Sequence, residues 1–111
     1  MRGLLAPHDH AATSIATRAE RAFVAALDSG GHAPIGALVQ ADMTLHGLVS
    51  DPNGRTIVRG SRRVDPSAPE ESGEALAAEL RDRGAGSLLA EIRSAERAKA
   101  AEYDQQWSSR G

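Results

Sequence analysis

The chain holds no cysteine, so disulfides, thiolate metal sites and thiol nucleophiles are excluded, and chemistry falls to histidines, carboxylates and arginines. His32 lies in the run Asp28-Ser29-Gly30-Gly31-His32-Ala33-Pro34. An imidazole, with an ordinary pKa of about 6.5, suits proton transfer at cellular pH, and His32 is the candidate acid–base group. Its rival reading is a solvated or structural histidine, since no partner is identifiable. His8-Asp9-His10 puts two imidazoles at i and i+2, on one face of an extended segment. Zinc needs further ligands that this spacing does not supply, so capping or packing is the simpler role and no metal is expected. Glu20 and Arg21 form an adjacent acid and base. Arg59, Arg62 and Arg63 are either an anion or carboxylate site or the charges that keep an edge strand from pairing with other sheets. Tyr103 and Trp107, four residues apart, are two of only three aromatics. They are candidate partner contacts, and a fraying helix end is the alternative.

These residues need elements to position them. The apolar positions Ile15, Ala19, Ala22, Phe23, Ala26 and Leu27 make a helical stripe, with Thr13 as its N-cap and Thr17-x-x-Glu20 as a rival capping box one turn later. Residues 1–12 read as an irregular lead-in, and Ser29-Gly30-Gly31 stops the helix. Pro34 to Ala41 alternates, with Ile35, Ala37 and Val39 on one face. Thr44 to Val49 alternates as well, with Leu45, Gly47 and Val49 together and His46 and Leu48 opposite. Tight turns at Asp42-Met43 and at Asp51-Pro52-Asn53-Gly54 set these apart from a third strand, Arg55 to Arg63, whose polar end predicts an exposed edge. Such short connections imply an antiparallel meander. Ser67-x-x-Glu70 reads as a capping box with Pro69 in the first turn of a helix that buries Gly73, Leu76, Ala77 and Leu80 and ends at Gly84. A last helix begins near Gly86 or Ser87 with Leu88, Leu89 and Ile92 inward. Beyond Arg93 it becomes a charge-laced face supported by pairs at three- and four-residue spacing. The fold class expected is α+β: a three-stranded antiparallel sheet with helices packed on one face.

Composition narrows the functional classes. With 111 residues the chain fits one domain, and with one Phe, one Trp and one Tyr its core must be built from aliphatic residues and alanine. A balance of 13 basic and 15 acidic residues gives no electrostatic footprint for nucleic acid or an anionic membrane. The opening run Met1 to Pro7 is too short and weakly apolar for a signal peptide. The expectation is a cytoplasmic protein.

The local sequence is more specific than the element order. Ala19-Glu20-Arg21-Ala22-Phe23-Val24-Ala25-Ala26-Leu27, Gly30, and Ala33-Pro34-Ile35-Gly36-Ala37 resemble the signature of porphobilinogen deaminase (hydroxymethylbilane synthase). The likeness runs on through Leu45-His46-Gly47-Leu48-Val49, Asn53-Gly54, Ile57-Val58-Arg59-Gly60 and Gly73…Leu76-Ala77-Ala78-Glu79-Leu80…Gly84-Ala85. It covers roughly residues 4 to 92 and implies the family's C-terminal domain, with 1–92 as that domain and 93–111 as a helical extension. The resemblance also implies what is missing. The family's active site lies between its first two domains, which carry the catalytic aspartate and the substrate-gripping arginines. The family's cofactor, a dipyrromethane, hangs by a thioether from a cysteine in the loop after the first helix, and Gly31 stands there in this chain. His32 replaces the usual glutamine.

Three functions follow as expectations. The first is a stand-alone homologue of this domain without the cofactor, a small-ligand-binding or assembly module not competent for hydroxymethylbilane synthesis alone. The second is a repurposed small enzyme with Ser29, Gly30, Gly31 and His32 lining its site. The third is one component of a split deaminase, which the missing cysteine argues against. The expected partners are a small-molecule ligand, or a protein or second copy held through Tyr103 and Trp107.

Overall fold

The structure, a computed structural model, describes residues 10–28 and 33–110, with side-chain surroundings through residue 102. The elements run α1 (His10–Leu27), β1 (Ile35–Val39), β2 (Thr44–Ser50), β3 (Ile57–Arg63), α2 (Pro69–Leu80), a wide turn (Arg81–Ala85) and α3 (Gly86–Arg110). The sheet is three-stranded and antiparallel in the order β1-β2-β3. This is the α+β meander expected from the alternation and the short turns.

α1 begins earlier than the sequence suggested. Thr13 and Thr17 lie inside the helix, not at its start, and residues 10–12 are helical instead of irregular. Alanine-rich sequence propagates helix readily, so a threonine inside it is tolerated where no competing cap is enforced. The expected Ser67–Glu70 capping box also does not form. Pro69 is the first helical residue, which moves the N-cap to Ala68, and Ala68 has no side chain to cap with. Ser67 instead turns back on Asp65, donating to Asp65 Oδ1 from its backbone N–H at 2.9 Å and from its hydroxyl at 2.7 Å. Those two bonds hold the Asp65 carboxyl below its ordinary value. Buried Ser72 secures the same corner: its Oγ accepts the Asp65 N–H at 2.9 Å and donates to the Ala68 carbonyl.

The register sorts every strand residue onto one of two faces. Ala37, Gly47 and Gly60 lie in one cross-strand row, and Ile35, Val49 and Val58 in another. These rows face the helices. Phe23, Leu27, Leu45, Val49, Leu76 and Leu80 form the fully buried centre. Gly47 gives the Phe23 ring its seat, since a Cβ there would lie 2.7 Å from ring atom Cε1. Gly73 lets α1 and α2 cross closely: a Cβ would come 2.8 Å from the Phe23 amide nitrogen and nearer still to the Ala19 carbonyl. Arg18 and Glu70 clamp the same crossing with paired bonds, Nε to Oε2 at 2.6 Å and Nη2 to Oε1 at 3.1 Å.

The chain leaves α2 through Gly84, whose φ of 127° lies in a region that side-chain-bearing residues rarely adopt. Arg81 reaches back to the Ala26 carbonyl and Arg83 to the Arg59 carbonyl and Glu79, which pins the turn to α1, α2 and β3. α3 then buries Leu88, Leu89 and Ile92, as its apolar spacing predicts, and from Arg93 to Glu102 all but half-buried Glu96 are exposed.

Candidate functional site

The loop Ser29-Gly30-Gly31-His32, which carries the candidate acid–base and ligand-binding residues, lies outside the described residues, and so do His8, Asp9 and the side chains of Tyr103 and Trp107. The two ends that hold the loop are defined. On one side the Asp28 N–H donates to the Val24 carbonyl at 2.8 Å, closing the last turn of α1. On the other, the Pro34 carbonyl accepts the Ser50 N–H at 3.0 Å and fixes the start of β1.

Between those ends runs a groove of about 620 Å³, walled by Glu20, Arg21, Val24 and Asp28 of the α1 side and by Ile35 and Ala37 of β1. Its strand wall is a backbone edge. The Ser50 N–H to Pro34 carbonyl bond and the Gln40 N–H to Thr44 carbonyl bond place the even-numbered residues of β1 toward β2. The odd-numbered residues therefore turn their backbone groups outward. At Val39 the outward N–H is met by Glu20 Oε2 at 2.7 Å. Glu20 thus ties α1 to the edge of β1, a structural role. Arg21 is exposed on the same wall.

The second concave surface is the sheet face that the helices leave uncovered. Its outward residues are Gly36 and Leu38 of β1, Thr44, His46, Leu48 and Ser50 of β2, and Ile57, Arg59, Ser61 and Arg63 of β3. Three large apolar side chains stand exposed on it, Leu38 at 58%, Ile57 at 45% and Leu48 at 38%. A trough of about 500 Å³ crosses its centre. The row Gly36, Leu48 and Arg59 forms one bank and the row Leu38, His46 and Ser61 the other. His46 Nε2 lies 3.1 Å from Gln40 Oε1, which orients the imidazole along the bank.

The arginine trio is divided by the register. Arg59 and Arg63 fall on the open face, whereas Arg62 lies in the row of Val39 and Leu45 on the helix side. The sequence had grouped the three by proximity in the chain. Period-two alternation separates them, and it was visible once Gly60 was placed opposite Gly47. His10 is exposed at the start of α1, and among the described residues no group of three or more histidines, aspartates or glutamates could hold a metal. No helix among them is long and apolar enough to cross a membrane.

Sequence reasoning did not find the Arg18–Glu70 clamp, because its members are 52 residues apart in the chain. The guanidinium bond to Glu70 holds that carboxyl below its ordinary value, and the same bond raises Arg18. No local signal announces such a pair.

Comparison with known proteins places this architecture. The family model described as porphobilinogen deaminase, C-terminal domain, matches residues 14–82. A porphobilinogen deaminase of Carboxydothermus hydrogenoformans is 41% identical over 93 residues, which cover 81% of this chain and 30% of that protein. The chain therefore spans less than a third of the length of this curated relative.

Proposed function

The chain belongs to the porphobilinogen deaminase C-terminal domain family, and from that premise we propose that it is a cofactor-less homologue of this domain, acting as a small-ligand-binding or assembly module. In this reading it does not synthesise hydroxymethylbilane on its own. The observation that carries the reading is the absence of cysteine from all 111 residues. A thioether anchor for dipyrromethane needs a thiol, so the donor set present does not fit that group. Ser29 is no substitute, because a serine hydroxyl is far harder to ionise at neutral pH than a thiol. The ligand-binding part rests on Ser29, Gly30, Gly31 and His32, where glycine in place of a side chain lets a ligand approach the backbone. The assembly part rests on Tyr103 and Trp107 and on the solvent-facing charges of α3 that precede them. A cytoplasmic setting goes with both.

Mass spectrometry of the protein purified without a tag from its own cells tests this. The expected result is a denatured mass equal to that of the sequence, and no consumption of added porphobilinogen. A covalent adduct, or turnover by the isolated chain, would overturn the reading. In the native spectrum a bound small molecule supports the ligand role. A heavier complex that dissociates in the Trp107→Ala variant supports the assembly role.

A further inference from the structure

The geometry points to a second binding surface, on the open face of the sheet, for an organic anion with a flat or extended apolar body and one carboxylate. It involves none of the residues of the loop reading and stands or falls separately from it. The two banks of the trough are two residues apart along each strand, about 7 Å at the rise of a β-strand. That width takes a ring on edge or an alkyl chain laid across the strands. The floor is the row through Gly47, whose side-chain direction belongs to the helix face, so nothing rises from it. Leu48 and Leu38 supply an apolar contact on either bank, both exposed where a sheet facing only water would carry polar groups. At the β3 end the trough closes on Arg59 and Ser61, a guanidinium and a hydroxyl on opposite banks. A guanidinium presents paired donors that match a carboxylate. At the β1 end Gly36 leaves the trough open.

Charge decides the class of ligand. The chain carries a formal charge of −2, yet no aspartate or glutamate occupies an outward position on any of the three strands, and Arg59 and Arg63 do. The cations of this face are thus unopposed by carboxylates of their own sheet. A volume of about 500 Å³ lies in the range of small-molecule sites.

Titration of the full chain with 2-naphthoate, followed by amide NMR shifts and calorimetry, tests the proposal. The amides of Gly36, Gly47 and Leu48 are expected to shift together. Arg59→Gln should weaken binding by about tenfold or more, as expected when a hydrogen bond to a charged group is lost. The neutral analogue 2-naphthylmethanol should bind more weakly than naphthoate and be indifferent to Arg59→Gln. Gly36→Leu should block the trough while the protein stays folded, since a Cβ there would meet Leu48 Cγ at an ordinary 3.7 Å. Absence of shifts on the three strands, or binding that neither variant weakens, would overturn the proposal. So would equal binding of acid and alcohol.

Discussion

One three-stranded sheet presents two faces of opposite character. On the helix side, small residues let large ones approach: Gly47 seats Phe23, and Gly73 brings the backbones of α1 and α2 together. On the open side, leucines and an isoleucine stand in solvent beside arginines. The strands alternate between these environments residue by residue, so a single sequence encodes a close-packed interior and a solvent-facing surface at once. The difference teaches where substitution is costly. Volume decides what the helix side tolerates, whereas the open side is bounded by solvent and tolerates changes of size.

The largest expected effect comes from emptying the closed face. Phe23→Ala should cost about 4 kcal/mol in urea denaturation, a large share of the stability of a domain this size. Recovery of near wild-type stability would mean that α1 collapses onto Gly47 without its ring. Overfilling comes next. Gly73→Ala adds one methyl against the Ala19 carbonyl and the Phe23 amide, and should destabilise by about 3 kcal/mol. Intrinsic helix propensity favours alanine over glycine by about 1 kcal/mol, so a stabilised variant would show that the helices can part freely.

A smaller effect is expected at the margin between the two faces. Glu20→Ala should cost about 1 kcal/mol and speed hydrogen exchange at the Val39 amide, which loses its acceptor. Unchanged exchange at Val39 would show that α1 does not guard that edge.

Acidification probes the clamp outside the core. Glu70 and Asp65 both have lowered values in the folded chain, by the Arg18 bond and the Ser67 bonds respectively. Each contributes stability in full above the ordinary carboxylate range near pH ~4, and loses it as pH falls through the lowered value. Glu70→Gln should therefore flatten the loss of thermal stability between neutral and acid pH. Both clamp side chains are about half exposed, so the effect is modest and salt should diminish it.

The smallest effect belongs to the open face. Leu48→Thr should change stability by less than about 0.5 kcal/mol, as solvent-facing positions do. A large loss in dilute protein would mean that the open face is packed in solution.

Periodicity made the strands and the helix faces legible, because alternate residues of a strand and every third or fourth residue of a helix must share one environment. It put Leu45, Gly47 and Val49 on one face with His46 and Leu48 on the other, and predicted the buried stripe of α2; which strand face is inward came from the structure. Helix starts were less legible. Thr13 and Ser67 are good caps in isolation, but a cap is decided by where the helix begins, and alanine-rich sequence and Pro69 decided that. Val64, almost fully buried just past β3, had no pattern to announce it at the end of a polar run.

The sequence by itself determined the chemistry this chain lacks. A side chain that is absent cannot be supplied by folding, so the missing cysteine is final at any geometry. It also determined the order of elements and the family signature. Only the tertiary structure decided which arginines share a face, which acid guards the β1 edge and which base clamps α1 to α2. Those relations join residues distant in the chain, and their pairing depends on strand register and helix crossing. Neither is written in any local window of sequence.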